Sequence, residues 1–207
     1  GATPEFFKAK GMGYPPPYGP LAAVTPGTPG GILTMLAEYG RLSLAEVLEP
    51  AIHLADGYPI EAQTANYIER RRDLLMQWPD SRRIMLPRAG DHAPEAGEIF
   101  RQPELAATLR KLVEAERAAI AAGRSREEAI RAAHDRFYKG DIARALVASV
   151  RAQGGLFTEE DLAGWTVRIE EPVVASYKGI DVYKLTAWTQ GPVMLQQLAL
   201  LRGYDLD

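Results

Sequence analysis

Apolar residues recur at helical spacing through most of the chain. A first stripe over 32–39 ends at Gly40, a residue typical of helix C-termini. A second stripe over 44–55 follows the i, i+3, i+4, i+7 pattern, which predicts a helix with one buried face and a kink or a restart at Pro50. These two runs predict consecutive helices joined by a short connection.

Helix-start signals mark further helices. Three capping boxes, in which a hydroxyl and a carboxylate each satisfy a free backbone N–H, occur at Ser43-x-x-Glu46, Ser125-x-x-Glu128 and Thr158-x-x-Asp161. Further helices are predicted over about 60–77, 103–122, 126–138 and 142–152, the last with Asp141 as its N-cap. Residues 79–100 show no clear period and are predicted to be irregular.

The period changes to two only near the C-terminus. Residues 173–177 and 180–185 favour β-structure, and Lys178-Gly179 between them predicts a hairpin turn. Pro172 implies an edge or a bulge at the start of this pair. Because an isolated hairpin is marginal in water, we expect it to join strands from outside these 207 residues.

A last helix opens at Gly191-Pro192 and is apolar on nearly all sides. Such a helix is predicted to be buried on more than one side. Because the chain starts without Met and closes directly after this helix, we expect it to be a piece of a larger protein.

These patterns predict a helix-rich α+β fold in three segments of one incomplete domain. Residues 1–31 contain seven of the fifteen prolines and form a Pro/Gly-rich arm, in which long regular elements are not expected. Residues 32–164 form a helical region, and residues 165–207 hold the β-hairpin and the buried helix.

Composition and charge exclude several classes of protein. The chain has no Cys, which excludes disulfides, zinc fingers, iron–sulfur ligation and thiol catalysis. The formal net charge of −3 argues against a dedicated nucleic-acid binder, and no stretch approaches the roughly 18 to 20 consecutive apolar residues of a membrane span. We expect neither nucleic acid nor membrane as a partner, and cytoplasmic and periplasmic or secreted locations both stay open.

Local signals for catalytic chemistry are few. His53, His92 and His134 are not spaced as metal ligands, and no Gly-x-Ser-x-Gly elbow occurs. We expect structural or solvent-exposed roles for the histidines, with no metal site and no cofactor. Residues 26–31 resemble a phosphate loop, but they lack the Lys-Ser/Thr ending and their prolines remove N–H donors, which favours a structural turn.

Arginines cluster at 70–72 and at 82–83. Such clusters can contact nucleic acid. However, acidic residues are interspersed with the arginines in this part of the sequence, and the net charge of the chain is negative. We therefore predict a solvated helix face or ion-pair partners for both clusters.

The segment 186–192 joins a predicted strand to a predicted helix, so hydroxyl, amide and N–H donors gather at one point. We predict that Thr189, Gln190 and Gly191 lie next to a substrate. A well-packed connection without a ligand is the alternative, and no residue of the chain is predicted to be catalytic.

A series of short segments occurs in a specific order between about Gly19 and Tyr204. In chain order they are Val24-Thr25-Pro26-Gly27, Gly30-Gly31, Glu38-Tyr39-Gly40-Arg41-Leu42, Leu48-Glu49-Pro50-Ala51-Ile52, Leu54-Ala55, Phe137-Tyr138-Lys139-Gly140-Asp141-Ile142-Ala143, Gly154-Gly155, Thr158-Glu159-Glu160-Asp161-Leu162, Glu171-Pro172-Val173, Tyr177-Lys178-Gly179, Val182-Tyr183 and Gln190-Gly191-Pro192. Together they resemble the large subunit of the gamma-glutamyltranspeptidase family.

The resemblance implies an N-terminal-nucleophile hydrolase with a four-layer αββα sandwich, of which this chain is the central part of the large subunit. The precursor cleaves itself, and the Thr exposed at the start of the small subunit attacks a γ-glutamyl amide. The implied partners are that small subunit, the remaining large-subunit segments and a small-molecule γ-glutamyl or amide substrate.

No Thr of this chain stands in a Thr-Thr-His or Thr-Ser-His context, so the nucleophile is absent and the chain alone is expected to be inactive. The family's Arg that grips the substrate α-carboxylate is not assigned to any Arg here. We also expect the isolated chain to self-associate through its last helix.

One departure from the family pattern concerns the substrate. Familiar members have a Ser-Ser-Gly-Gly-like loop where this chain has Thr189-Gln190-Gly191-Pro192, which looks closer to the family's amidohydrolases and acylases. This difference argues against glutathione as the substrate and favours simple hydrolysis over transfer. A noncatalytic helical interaction module with a terminal hairpin is the alternative function.

Overall fold

The computed structural model describes residues 2–205. The chain divides into two compact units, Gly1–Thr166 and Val167–Asp207. Gly1, Leu206 and Asp207 are the end residues of the predicted arm and of the predicted C-terminal segment, and they lie outside the described residues.

Helices make up most of the first unit. They are α1 (Pro4–Ala9), α2 (Thr28–Tyr39), α3 (Leu44–Asp56), α4 (Ala62–Arg70), α5 (Arg72–Leu75), α6 (Pro79–Met85), α7 (Pro103–Ala121), α8 (Arg126–Tyr138), α9 (Asp141–Ala152) and α10 (Glu159–Ala163), with a 3₁₀ turn at Pro20–Ala22 and two short strands, β1 (Tyr58–Pro59) and β2 (Ile99–Phe100). The predicted bounds of α8 are confirmed. Helix α9 ends at Ala152 as predicted but begins one residue earlier, since Gly140 and not Asp141 is its N-cap.

Three elements differ from the predictions. Helix α2 begins at Thr28 rather than at residue 32, with Pro29 in its first turn, where a missing N–H costs no hydrogen bond. The predicted arm contains the short helix α1, which Thr3 caps. Helix α3 does not restart at Pro50 but continues through it, and the proline is exposed on the solvent side.

The main core of the first unit lies between α2, α3, α7, α8 and α9. Helix α7 packs against α8 and α3, and α2 packs against α8. The apolar stripes of these helices meet in a buried cluster that consists of Leu33, Leu36, Ala37, Leu44, Leu112, Ile130, Ala133 and Ile142. The apolar stripe over 44–55 identified the buried face of α3. For α2 the predicted face of Ile32, Met35, Leu36 and Tyr39 is wrong except at Leu36, since the other three are exposed and Leu33 and Ala37 are buried instead.

A second cluster lies under β1 and β2, which pair antiparallel with Tyr58 opposite Phe100. The sequence predicted one helix over 60–77 and irregular structure over 79–100, and both predictions are wrong in part. The helix is divided at Arg71, and α6 and β2 lie in the second region. Long-range bonds explain the division, because the Arg72 side chain donates to the backbone carbonyls of Gly90 and Asp91.

A third cluster surrounds Tyr138, which is fully buried together with Leu162. The Tyr138 hydroxyl donates to the Pro26 carbonyl and accepts from the Gly30 N–H at 3.0 Å. Its ring stacks on Trp165 with centroids 5.0 Å apart. A phenol on α8 thus holds the Pro/Gly-rich segment at the start of α2, and burial raises the pKa of Tyr138.

Two helix ends are capped by side chains from distant helices. Glu116 of α7 is buried, and its carboxylate accepts from the backbone N–H of Leu44 at 2.5 Å and of Ala45 at 2.9 Å, at the start of α3. Arg126 of α8 donates to carbonyls at the end of α2, including that of Ala37 at 2.8 Å. The negative charge of Glu116 lies at a helix N-terminus and the positive charge of Arg126 at a helix C-terminus, which is the arrangement that the helix dipole stabilises.

The second unit contains a hairpin and one helix. Strands β3 (Val173–Tyr177) and β4 (Ile180–Lys184) pair antiparallel, and Lys178 and Gly179 both take positive φ in the two-residue turn, as the predicted hairpin requires. Helix α11 (Gly191–Leu201) packs against both strands. Strand β3 begins directly after Pro172, which has no N–H to donate to the ladder.

Large apolar side chains of the second unit are exposed. They are Ile169, Val174, Ile180, Tyr183, Leu185, Trp188, Val193, Met194, Leu200, Leu201 and Tyr204. Only Leu195 and Gly191 are buried on α11 among the residues that the structure describes. The prediction that α11 is buried on several sides is therefore not met within these residues.

Within residues 2–205 no helix is both long and apolar enough to cross a bilayer.

Candidate functional site

The connection from β4 to α11 brings the predicted substrate-side residues together. Thr189 donates from its backbone N–H and from its hydroxyl to the Thr186 carbonyl, at 3.0 and 3.1 Å. The Gly191 N–H in turn donates to the Thr189 hydroxyl oxygen at 3.1 Å. The loop is therefore held by hydrogen bonds between its own residues. The sequence suggested that the Gly191 N–H would be free to bind a ligand, but this N–H is already bonded to Thr189.

Gly191 has no space for a side chain. A Cβ there would overlap the Leu185 carbonyl oxygen and approach Lys184 Cβ to 2.9 Å. The glycine therefore lets the start of α11 lie directly on the end of β4.

Thr189, Gln190 and Gly191 all line one open pocket of about 240 Å³, together with Lys184, Leu185 and Met194. Within the described residues, the exposed Gln190 side-chain amide has no hydrogen-bond partner. It can therefore both donate to and accept from a ligand. Of the three predicted residues, Gln190 presents free polar groups, while Thr189 and Gly191 give the loop its shape.

Glu170, which precedes β3 in the chain, contacts this loop, and the sequence patterns did not predict the contact. Its Oε2 accepts from the Thr186 hydroxyl at 2.9 Å and from the Trp188 indole N–H at 2.7 Å. The bond from Trp188 has the largest effect and lowers the pKa of Glu170, and the bond from Thr186 and the charge of Arg168 lower it further. Glu170 lies 16 residues before Thr186, so no local spacing could have revealed the contact.

The histidines of the first unit have structural surroundings. His92 Nδ1 lies 2.8 Å from Glu69 Oε1, and the His134 ring packs against Tyr138 with centroids 4.6 Å apart. His134 is half-buried, and this burial lowers its pKa. In the described part of the chain, no group of three or more His, Cys, Asp or Glu is arranged to hold a metal ion.

His53 lines a groove of about 490 Å³ between α3 and α7. The groove is lined by side chains of both signs, among them Glu49, Asp56 and Arg110, and Arg110 pairs with Asp56 at 2.5 Å. This ion pair links α7 to the end of α3, and because both side chains are exposed it contributes little to stability.

The segment that resembles a phosphate loop and the two arginine clusters also make structural contacts. The Gly30 N–H, which a phosphate would need, is bonded to Tyr138. Arg82 forms two bonds with the Asp91 carboxylate, and Arg83 pairs with Glu104. Ion-pair partners are thus confirmed for the 82–83 cluster. The side chains of the 70–72 cluster instead donate to backbone carbonyls and to the Tyr18 hydroxyl.

Comparison with known proteins agrees with the resemblance seen in the sequence. The family model described as Gamma-glutamyltranspeptidase matches residues 1–207. The chain is 34% identical over 198 residues to the glutathione hydrolase-like YwrD proenzyme of Bacillus subtilis. The aligned region covers 95% of this chain and 34% of that protein.

Two solved structures have the same fold over essentially the whole chain. The structure titled LmbA2991HD superposes with a TM-score of 0.87 at 35% identity, covering 100% of this chain and 37% of that one. The cephalosporin acylase from Bacillus halodurans superposes with a TM-score of 0.81 at 31% identity, covering 99% of this chain and 36% of that one.

The chain thus spans about a third of the length of these relatives. The match extends through both units, so it includes the β4–α11 loop as well as the helical core. This chain belongs to the gamma-glutamyltranspeptidase family.

Proposed function

We propose that this chain is the central part of the large subunit of an enzyme that hydrolyses or transfers γ-glutamyl or related amide groups. The observation that carries the proposal is the match of the family model to all of residues 1–207. A noncatalytic interaction module is not favoured, because the matched relatives carry the names of hydrolases and acylases.

The nucleophile comes from another part of the enzyme. No Thr here has the Thr-Thr-His or Thr-Ser-His context that the family resemblance requires. In the proposed reaction, a Thr whose own α-amino group acts as the base attacks the amide carbonyl of a small molecule. An acyl-enzyme forms, the amine leaves, and water or an amine acceptor then takes the acyl group.

The contribution of this chain is one wall of the substrate pocket. Thr189 and Gly191 fix the course of the loop, and the Gln190 amide is free to bind a polar group of the substrate. Placing the substrate correctly lowers the barrier because the entropy of orientation is lost on binding rather than in the transition state.

The exposed apolar surface of β3, β4 and α11 supports the rest of the proposal. Two paired strands make a marginal sheet, and the apolar side chains on this unit need cover. We infer that the unit is part of a four-layer αββα sandwich, completed by a small subunit that carries the Thr and by other large-subunit segments.

The Gln190→Ala variant of the full-length processed enzyme tests the pocket. We expect KM for a γ-glutamyl anilide to rise about threefold to tenfold with little change in kcat, because one substrate hydrogen bond is lost in both ground and transition states. Gln197→Ala is the matched control, because Gln197 is exposed like Gln190 but lies within α11 and does not line the pocket. Equal KM values for the two variants would reject the pocket assignment.

A second measurement addresses the substrate and the acceptor. The full-length enzyme is given a γ-glutamyl anilide or a glutaryl anilide, each with and without a dipeptide acceptor. Because the loop carries Thr189-Gln190-Gly191-Pro192 in place of a Ser-Ser-Gly-Gly-like sequence, we propose that hydrolysis exceeds transfer. A product mixture dominated by the acyl dipeptide would contradict this, and no turnover of either anilide would reject the proposed activity.

A further inference from the structure

The open end of the β3–β4 hairpin is closed by a single carboxylate. Val173 pairs with Lys184 at the last position of the ladder, and beyond it the two chain segments separate. Glu170 lies on one segment, and Thr186 and Trp188 lie on the other. The Glu170 carboxylate accepts from both of these residues through one oxygen, at 2.9 and 2.7 Å.

From this carboxylate, bonds continue to the pocket. The Thr186 hydroxyl is held by Glu170, and the Thr186 carbonyl accepts both bonds from Thr189. Thr189 then accepts from the Gly191 N–H. A continuous series of contacts therefore connects Glu170 with the residues on either side of Gln190.

Trp188 depends on the same group. Among the residues that the structure describes, few contacts pack against its ring, since Trp188 is 68% exposed there. The bond from its indole N–H to Glu170 is the polar contact that orients it.

We propose that Glu170 is a positioning residue for the substrate pocket, which acts through Thr186 and Trp188 on the loop that presents Gln190. The inference rests on the proposed function, since it assumes that this loop contacts the substrate. It adds a role for a residue that neither lines the pocket nor belongs to the family-like segments of the sequence.

The ionised form of Glu170 suits this role. A carboxylate accepts from two donors at once, and hydrogen bonds to an ionised acceptor are stronger than neutral ones. Because both donors bind the same oxygen, an amide oxygen at that place can also accept from both, but it lacks the negative charge that strengthens the two bonds. A Gln at position 170 is therefore expected to keep only part of the arrangement.

The kinetic test uses the full-length processed enzyme and a γ-glutamyl anilide. We expect Glu170→Ala to raise KM about threefold to tenfold, Glu170→Gln to give an intermediate KM, and kcat to change less than KM. Glu171→Gln is the control, because Glu171 is the adjacent exposed glutamate and makes no hydrogen bond to the loop in the described residues. If Glu170→Ala matches Glu171→Gln, the positioning role is refuted.

Trp188→Phe provides a second route that does not depend on the stability of Glu170 variants. It keeps an aromatic ring but removes the N–H, so it should raise KM in the same direction. The Glu170→Ala/Trp188→Phe double variant should cost less than the product of the two single effects, because both remove one shared contact. Fully multiplicative effects would overturn the inference.

The outcome separates this inference from the proposed function. If Gln190→Ala leaves KM unchanged, the pocket itself is wrongly assigned. If Gln190→Ala raises KM but Glu170→Ala does not, only the role of Glu170 fails.

Indole fluorescence gives a readout without substrate. Protonation of Glu170 weakens the bond to Trp188, so the emission assigned to Trp188 by difference from Trp188→Phe should change as the pH falls. The change should occur below the usual pKa of glutamate, since the two donors and Arg168 lower the pKa of Glu170. The same change in Glu170→Gln would refute the contact.

Discussion

Glu116 allows a sharp test of how the helical core is held together. Its side chain is only 3% exposed and accepts from two N–H groups at the start of α3. Glu116→Ala leaves both donors without their acceptor. An unpaired buried donor costs roughly 1–3 kcal/mol, and water reaches the half-buried Ala45 more easily than the buried Leu44, so we expect a loss of about 2–4 kcal/mol.

Urea unfolding of the 207-residue chain, followed by far-UV circular dichroism, measures this loss. With a slope of about 2 kcal/mol per molar urea, a loss of about 3 kcal/mol lowers the midpoint by about 1.5 M. Glu116→Gln keeps one acceptor oxygen and should lie between wild type and Glu116→Ala. Glu114→Ala removes an exposed carboxylate on the same helix and should change the midpoint little. Equal midpoints for Glu116→Ala and Glu114→Ala would show that the carboxylate does not cap α3.

Three further predictions concern other contacts. Tyr138→Phe keeps the stacking on Trp165 but leaves the Gly30 N–H unpaired, so we expect a loss of about 1–3 kcal/mol and faster hydrogen exchange at Gly30; unchanged exchange there would contradict the bond. Arg136 and Lys111 hold the pKa of Asp141 far below its usual range, so the stabilisation is complete above the ordinary aspartate pKa and is lost as the pH falls through the depressed value. The stability gap between wild type and Asp141→Asn should therefore narrow in acid, and a gap that does not vary with pH would refute the pairing. The chain in isolation should bind an anilinonaphthalene dye through the exposed side chains of the second unit, and a monomer that binds no dye would argue against their being uncovered.

Signals that lie within one turn of the chain were readable from the sequence. The hydroxyl and carboxylate of each capping box are three residues apart, and all three boxes form as predicted, at Ser43, Ser125 and Thr158. The Lys178-Gly179 turn is similarly local, because the need for positive φ is met by the turn residues themselves.

Contacts between distant residues were not readable. Glu116 is 72 residues from Leu44, and Tyr138 is 108 residues from Gly30. Tyr138 does not differ, in its own helix, from an ordinary member of an amphipathic pattern. Glu116 is a charged residue on the apolar face of α7, which marks it as unusual but does not identify its partner. The β1–β2 pair was missed for the same reason, since two strands of two residues each have no detectable period.

In the candidate site, too, local features were predictable from the sequence and contacts between distant residues were not. The strand-to-helix junction pointed to residues 189–191, because glycine and polar residues stand between two regular elements. Which of them is free to bind a ligand depends on the hydrogen bonds within the loop, and these depend on three-dimensional geometry. The role of Glu170 depends on how the hairpin brings its two ends together, which no local pattern encodes.

The contrast between the two units has a consequence during protein synthesis. The described part of the first unit is synthesised before the second unit and has three buried clusters and its own helix caps, so we expect it to fold while translation continues. The hairpin and α11 emerge next with many apolar side chains exposed. Until those side chains are covered, this segment is the part of the nascent polypeptide that chaperones would bind and that determines how much enzyme is lost to aggregation.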